Sequence, residues 1–354
     1  MTKSISNLLS SSRSQAVGTL AGIDIGKHIA KLVVVRRQTQ EVSVTRASCL
    51  QIPSDLQGDG AELAKLLCKW LRENTDSGCR DFVGSLPSSM VDYETVEIPS
   101  EESIDLAEFA EATMGELLGS DRNLTTHDYW KNSRNVDSNT LNLAWTSSKF
   151  ASELTTGLSY GGWRCLALDI PAQTLARVSS LGEISRKHSI VVDIGAGEVS
   201  IVFTDNGNSE YFRNRIRFSP DSASETLAEA LGVTKDAAEN LLVHWGLGRV
   251  GSSEPIQLEK LIAQHLTQWL EQLVYELRRT LNFFKHRFGA DSACELLLCG
   301  GGANIRGLPE ALTTELSNVV RLAVPAGAWS WKSAERYSPI YAQAVCLAMY
   351  GAAT

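Results

Sequence analysis

Two stretches of this sequence share one pattern: GIDIGKHIAKLVVV at residues 22–35 and VVDIGAGEVSIVF at residues 191–203. In each, an apolar run ends in Asp-Ile-Gly, a few turn residues follow, and a second apolar run begins. Short apolar runs bounded by turn residues are typical of buried strands joined in a hairpin. With Asp24 aligned on Asp193, the repeat predicts two hairpins of one kind in two related halves of the chain.

Each predicted turn combines an aspartate at a strand end with a glycine. Gly26 and Gly195 have no Cβ, so successive backbone N–H groups can approach an anion closely. Asp24 and Asp193 point into the same space, where each can hold a hydrated Mg²⁺. A single copy would be explained by an ordinary β-turn. Two copies, in halves that face one another, predict a clamp for a polyphosphate.

A third element, LLLCGGGAN at residues 296–304, runs from a buried strand into Gly300, Gly301 and Gly302. Bare backbone at the start of a helix lets a flat ring or a phosphate lie against it. A tight connection between strand and helix is the alternative. Three consecutive glycines exceed what a connection needs, so we favour a ligand site that also includes Asn304.

The composition of the whole chain excludes several classes of protein. The 354 residues are 43% apolar and 21% charged, with a net charge of −8 and a pI of about 5.4. This balance argues against electrostatic binding of nucleic acid or anionic lipid. The seven cysteines contain no Cys-x-x-Cys pair, which favours reduced thiols and a cytoplasmic address. No run of apolar residues approaches the ~20 needed to span a bilayer.

Shifts in composition divide the chain into a Ser-rich tail, two halves and an α+β insert. In the insert, Ser103 is expected to cap a helix that continues through Leu118. In the second half, a long helix has an apolar stripe from Leu258 and Leu261 to Phe284. The expected divisions are a disordered tail at 1–18, a first half at 19–84, 163–189 and 333–354, an accessory insert at 85–162, and a second half at 190–332.

The three motifs, in this order, resemble those of the actin-like ATPase superfamily, whose fold is α/β with two duplicated RNase H-like halves. The resemblance implies ATP and Mg²⁺ as ligands, with Asp24 and Asp193 at the metal. The residues that it implies as nucleotide-binding are Asp24, Gly26, Lys27 and Lys31 in the first phosphate motif, Asp193, Gly195 and Gly197 in the second, Gly300, Gly301, Gly302 and Asn304 in the adenosine motif, and Glu239 at the ribose.

A closer resemblance covers residues 20–351. The stretches SLPSSMVDYETVEIP, ALDIPAQTLAR, RRTLNFFKHRF and LCGGGANIRGLPEAL resemble the PilM family of type IV pilus assembly proteins, also described as competence proteins and related to FtsA. The insert lies where PilM and FtsA carry an accessory subdomain.

The PilM resemblance implies a cytoplasmic ATP-binding scaffold that lies at the inner membrane through a partner. The partner is a PilN-like membrane protein, whose N-terminal segment docks in a groove between the first half and the accessory subdomain. No sequence motif marks the residues of that groove.

The phosphate motifs depart from the family pattern. Lys27 and His28 stand where small hydroxyl residues are usual, Glu198 replaces a hydroxyl residue, and Leu242 replaces a lysine. A carboxylate ~4 Å from a phosphate would cost on the order of 4 kcal/mol at an effective dielectric of 20, unless Mg²⁺, Lys27 or Lys31 intervenes. The departures leave open a retuned site, a site that binds nucleotide with little hydrolysis, and a site without nucleotide. We favour the second.

Three other functions are compatible with the same fold. A small-molecule kinase would need a general base and a substrate pocket, which no motif marks. An FtsA-like filament protein would carry an amphipathic tail helix, which is not expected after Gly351, so direct membrane insertion is not expected. A scaffold that has lost nucleotide is the third. Self-association is compatible with each of them.

Overall fold

The computed structural model describes most of the chain, and it divides into two compact units. The first unit comprises Met1–Thr174, Gly327–Arg336 and Gln343–Thr354, and the second comprises Leu175–Ala326 and Tyr337–Ala342. The tail expected at 1–18 lies outside the described residues except for Gly18, and the four domain ranges stay predictions. The described residues are 18–38, 41–76, 78–99, 104–131, 139–182, 188–205, 207–216, 220–247, 257–288, 294–325 and 329–350.

The described residues form both strands and helices. The strands are β1 (Gly18–Ile25), β2 (Ile29–Arg37), β3 (Val42–Gln51), β4 (Asp81–Ser85), β5 (Asp92–Glu97), β6 (Thr125–Lys131), β7 (Thr140–Ser147), β8 (Arg164–Asp169), β9 (His188–Ile194), β10 (Val199–Asp205), β11 (Asn208–Ile216), β12 (Glu295–Cys299), β13 (Val320–Leu322) and β14 (Trp329–Trp331). The helices are α1 (Gly60–Asn74), α2 (Leu106–Leu118), α3 (Ser148–Tyr160), α4 (Pro171–Val178), α5 (Pro220–Leu231), α6 (Lys235–His244), α7 (Gln257–Phe288), α8 (Leu308–Leu316) and α9 (Ala342–Ala348). Three of these helices, α5, α6 and α7, follow one another between β11 and β12.

The two units contain sheets of the same topology. The first sheet has the order β14-β3-β2-β1-β4-β8, and the second has the order β11-β10-β9-β12-β13. In both, an antiparallel hairpin is followed by a strand that pairs in parallel with the first hairpin strand. The two predicted hairpins are β1–β2 and β9–β10, and they occupy equivalent places in the two sheets. This equivalence confirms the predicted duplication.

A third sheet, with the order β5-β7-β6, lies in the segment expected as the accessory insert. Both of its pairings are antiparallel. Helix α2 packs on one face, where Ala110 and Met114 contact Leu141 and Leu143 in a small core. Helix α3 instead contributes Phe150 and Leu154 to the main core of the first unit.

The N-cap of α2 corrects a prediction. Asp105 Oδ1 accepts hydrogen bonds from the backbone N–H of Ala107 (2.8 Å) and of Glu108 (3.4 Å). Ser103, expected as the cap, lies outside the described residues. Aspartate is as good a cap as serine, so the helix begins two residues later than the sequence pattern suggested.

The stripe of α7 packs into the core of the second unit over most of its length. Ile262, Trp269 and Phe284 are all buried there. Leu258 and Leu261, which the pattern assigned to the stripe, are 36% and 37% exposed. The expected stripe is therefore wrong in its first turn.

Strand β1, in the sheet of the first unit, is covered by helix α9 from the other end of the sequence. A Cβ on Gly22 would overlap the carbonyl oxygen of Ala344 and the amide nitrogen of Ala348, so only glycine allows α9 to lie this close to β1. The buried Arg37 donates hydrogen bonds to the carbonyl oxygens of Ala348 and Tyr350, both at 2.9 Å. These bonds satisfy carbonyl groups that the helix end leaves unpaired.

Candidate functional site

The first hairpin turn places an ion pair at the end of β1. Asp24 lies opposite Lys31 in the antiparallel register, and the Lys31 Nζ atom is 2.9 Å from Asp24 Oδ2. The pair is mostly buried, since the side chains are 15% and 7% exposed for Lys31 and Asp24. Because the lysine neutralises the carboxylate, the turn presents no net negative charge to an approaching phosphate.

Gly26 lies directly beside this pair. Its backbone N–H donates to the carbonyl oxygen of Ile29 at 3.1 Å and closes the turn. A Cβ at this position would lie 2.8 Å from that oxygen and 2.9 Å from Lys31 Nζ. Any larger residue would therefore displace either the backbone or the lysine, so the turn itself requires glycine.

The same turn also forms part of a small, partly open depression within the first unit, which we call the partner pocket after the role proposed for it. Lys27 is the single charged residue among its lining residues. The lining residues are Ile25, Gly26, Lys27, Ile52, Leu56, Gln57, Gly58, Leu63, Pro87, Ser89, Met90 and Phe150.

The partner pocket combines residues of the segment expected as the accessory insert with other residues of the first unit. Met90 and Phe150 belong to the accessory segment, whereas Ile25 and Ile52 come from the first half. Its lining residues come from four separated stretches of sequence and share only a largely apolar character. No spacing could have identified them before the fold was known.

The second hairpin differs at the position of the lysine. Asp193 is the last residue but one of β9, and its register partner is the uncharged Ser200. Gly195 and Gly197 lie in the turn, as expected, and a Cβ on Gly195 would be 3.0 Å from the carbonyl oxygen of Glu198.

The triple-glycine turn contacts this second hairpin within the second unit. Gly300 has φ +82°, and a Cβ there would overlap Asp193 Oδ1 and lie 2.7 Å from the carbonyl oxygen of Ile194. A Cβ on Gly302 would overlap the side chain of Ile194 and lie 2.5 Å from Pro220 Cγ. Gly300 and Gly302 are thus required for close packing, as the alternative of a tight connection would have it, and the ligand site expected at this turn stays a prediction. Gly301 is exposed and has no such constraint.

A segment that the sequence analysis did not assign to the site positions the glycine turn. Ser338 Oγ donates to Asn304 Oδ1 at 3.0 Å. The backbone N–H of Gly300 donates to the carbonyl oxygen of Pro339 at 3.2 Å. The sequence offers one signal for this segment, the Ser338-Pro339 pair, which is typical of a helix start.

Charged side chains cluster beside the second turn. Asp221, at the start of α5, donates its backbone N–H to the carbonyl oxygen of Ala196 at 3.3 Å. Lys235 Nζ lies 3.4 Å from Asp221 Oδ1 and 3.3 Å from Glu225 Oε1. Partial burial, with Asp221 and Asp236 nearby, raises the pKa of Glu239, which Lys235 partly offsets.

The position where the family has a lysine is part of the hydrophobic core. Leu242 lies on α6 with Glu239, but it is only 3% exposed and packs with Leu227 and Ala238. A lysine here would place its charge in the core unless its head reached the surface. Lys235, one helical turn before Glu239, is the cation that α6 places near that acid.

The predicted residues therefore fall into two groups. Within the second unit, Asp193 meets Gly300 directly, and Glu239 lies beside the Lys235 cluster. Within the first unit, Asp24, Gly26 and Lys31 form one turn. That these two groups bind one nucleotide, with Mg²⁺ at the aspartates, stays a prediction.

Mg²⁺ usually retains several water ligands, so a site does not need three carboxylates. The described residues contain no group of three or more His, Cys, Asp or Glu that could hold a metal ion. Across the described helices, none is sufficiently long and apolar to cross a membrane.

The fold has known relatives among solved structures. The "PilM-PilN type IV pilus biogenesis complex" contains a chain that matches with a TM-score of 0.74 at 22% identity, covering 96% of this chain and 100% of the other. The ethanolamine utilization protein EutJ from Carboxydothermus hydrogenoformans matches with a TM-score of 0.56 at 12% identity, covering 97% and 93%. MreB 5 of Spiroplasma citri, bound to AMPPNP, matches with a TM-score of 0.50 at 9% identity, covering 87% and 92%.

These likenesses confirm the actin-like ATPase fold. No curated protein matches the sequence. The model of the family "Type IV pilus assembly protein PilM" matches residues 168–352, which is just over half of the chain. The chain belongs to the PilM family of type IV pilus assembly proteins.

Proposed function

We propose that this protein is a cytoplasmic ATP-binding scaffold for assembly of a type IV pilus, docked on the inner membrane by a PilN-like partner. The family assignment supports the role in pilus assembly. The observation that carries the rest is the first hairpin turn, which borders both the Asp24–Lys31 pair and an apolar pocket.

The turns contain the features that a nucleotide needs. Gly26 and Gly195 leave the two hairpin turns without a Cβ, and Lys31 neutralises Asp24, so the first turn does not repel a phosphate. Asp24 and Asp193 would hold Mg²⁺ through water. Backbone N–H groups of the hairpin turns would donate hydrogen bonds to the phosphates of the bound nucleotide. Because Asp24 is already held by Lys31, it is poorly placed to act as a general base, so we expect weak hydrolysis or none.

One apolar side chain of an extended peptide would dock at the partner pocket, which must widen to admit it. Its walls, such as Ile52, Leu56, Met90 and Phe150, offer apolar surface, and Gln57 and Ser89 offer polar atoms that can fix the orientation of a main chain. The pocket includes residues of the segment expected as the accessory subdomain, and we propose it as part of the groove that receives the N-terminal segment of a PilN-like protein. Membrane association would then depend on that partner.

Calorimetric titration of the full chain tests both parts of this proposal. One ligand is Mg·ATP, and the other is a synthetic peptide with the N-terminal cytoplasmic sequence of the PilN-like protein from the same organism. We expect Asp193→Ala to weaken Mg·ATP binding more than about tenfold. We expect Met90→Arg to weaken peptide binding by a similar factor, because it places a charge in an apolar pocket.

Each variant is the control for the other. Without nucleotide, Asp193→Ala should bind the peptide as the native chain does, and without peptide, Met90→Arg should bind Mg·ATP normally. A native chain that binds no Mg·ATP would support the nucleotide-free scaffold instead. A native chain that binds no peptide would remove the partner pocket from the proposal.

A further inference from the structure

We propose that ligand in the partner pocket and nucleotide at the first hairpin strengthen each other's binding, through the turn at residues 26–28 that both contact. This inference rests on the proposed function, because it requires that both ligands bind. It adds a regulatory link: the scaffold would hold its membrane partner more tightly when nucleotide is bound.

The two candidate sites share backbone. Ile25, Gly26 and Lys27 line the partner pocket. The Asp24–Lys31 ion pair adjoins the same turn. A Cβ on Gly26 would lie 2.9 Å from Lys31 Nζ, and Lys31 is paired with Asp24. A ligand in the pocket and a nucleotide at the ion pair would therefore contact the same short turn. If one of these ligands moves the turn, the binding site of the other ligand changes.

Two hydrogen bonds connect the turn to the pocket wall. Gln57 Nε2 donates to the carbonyl oxygen of Lys27 at 3.0 Å. The backbone N–H of Ile52 donates to the carbonyl oxygen of His28 at 2.7 Å. Both donors lie in the segment that follows β3, and both Ile52 and Gln57 line the pocket. The wall that a peptide would contact is thus bonded directly to the candidate phosphate turn.

The sign of the coupling follows from the exposure of Gln57 and from the proposal that nucleotide binds the turn in the conformation described here. The hydrogen bond from Gln57 to Lys27 is exposed to solvent. A peptide that covers Gln57 excludes this water, and a hydrogen bond is electrostatically stronger in a medium of low dielectric. The bond then holds the turn in the conformation with Gly26 closed against Ile29. A nucleotide that favours this same conformation binds more tightly, which is positive coupling.

Thermodynamic linkage makes the proposal quantitative. If Mg²⁺ and a nucleotide raise the affinity for the peptide by some factor, the peptide must raise the affinity for the nucleotide by the same factor. Coupling between sites is typically about 5- to 150-fold. We expect a factor of at least about fivefold for the native chain.

The test is four calorimetric titrations of the full chain. The peptide described above is titrated with and without saturating Mg·AMPPNP, a nucleotide analogue that excludes hydrolysis, and Mg·AMPPNP is titrated with and without saturating peptide. We expect Gln57→Ala to reduce the coupling factor towards one. The matched control is Gln51→Ala, which removes an exposed glutamine that does not line the pocket. It should keep the native factor.

The outcomes separate this inference from the proposed function. Binding of both ligands to the native chain with a factor of one overturns the coupling and leaves the proposed function standing. An undiminished factor in Gln57→Ala overturns the role of the Gln57–Lys27 bond. Failure of either ligand to bind the native chain overturns the proposed function and the coupling with it.

Discussion

The β1–β2 and β9–β10 hairpins have the same topology, but the residues around their aspartates differ. At equivalent register positions, Asp24 faces a lysine and Asp193 faces a serine. The first turn is bonded to the wall of the partner pocket, whereas Asp193 at the second lies against Gly300 of the glycine turn. After duplication, one hairpin thus acquired an internal counter-charge and a neighbouring pocket, and the other acquired a close contact with bare backbone.

The largest effect is expected where the second hairpin meets the glycine turn. Gly300→Ala would place a Cβ in the left-handed region and against Asp193, so we expect a loss of about 4 kcal/mol of stability. Mg·ATP binding should be lost with it. Thermal unfolding and calorimetry would measure both effects.

Gly301→Ala is the matched control, because the nearest atom to its Cβ is Ile340 Cδ1 at 4.0 Å. Its stability should stay within about 0.5 kcal/mol of the native value. Equal stability losses in the two variants would contradict the contact between Gly300 and Asp193.

An intermediate effect is expected in the first hairpin. Lys31→Met leaves Asp24 buried without its counter-charge and should cost about 2–3 kcal/mol, somewhat below the range for fully buried pairs. The equivalent change in the second hairpin, Ser200→Ala, removes no charge and should cost about 1 kcal/mol or less. Urea unfolding of the two variants measures the difference between the hairpins.

The double variant Lys31→Met, Asp24→Asn separates charge from packing. If the unpaired carboxylate causes the loss, replacing it with an amide should recover most of the stability. No recovery would mean that Lys31 stabilises the turn by contact alone, and the contrast between the hairpins would then be one of shape.

The smallest effect concerns Glu239 in the second unit, whose pKa is raised, chiefly by burial, above the ordinary value of 4.5. A carboxyl group with a raised pKa in the folded state contributes its full stabilisation at pH values below the ordinary pKa. This contribution is lost as pH rises through the raised pKa. Glu239→Gln has no such loss. The variant should match the native chain near pH 4 and exceed it by a few tenths of a kcal/mol at pH 7, after allowance for solvent screening.

Thermal unfolding from pH 4 to pH 7 tests the prediction for Glu239. The stability advantage of Glu239→Gln over the native chain should grow as pH rises. An advantage that shrinks with rising pH would contradict the prediction. Asp236→Asn, on the exposed side of the same helix, provides a comparison in which one neighbouring negative charge is removed and Glu239 is kept.

Features that depend on local chemistry were predictable from the sequence. The hairpins follow from two apolar runs around Asp-Ile-Gly. The three glycines predicted a ligand site, whereas the close packing of Gly300 and Gly302 became visible only in the fold. Features that depend on distant segments were not predictable. The partner pocket combines Lys27, Gln57 and Phe150, and no spacing relates these residues. Leu258 and Leu261 fit the periodicity of α7, but at that end of the helix the buried residues are Glu259 and Ile262.

The closing of β1 by α9 also affects how the chain folds as it is synthesised. The bond from Arg37 to Ala348 joins residues 311 positions apart. Ribosomes release the β1–β2 hairpin early, yet the groove at Gly22 is covered only after residues 342–350 have emerged. Until then the nascent first unit exposes an apolar central strand, which is a surface that chaperones bind and that promotes aggregation. Most of the second unit is one continuous segment, Leu175–Ala326. Most of its core can therefore form before the last residues of the chain are synthesised.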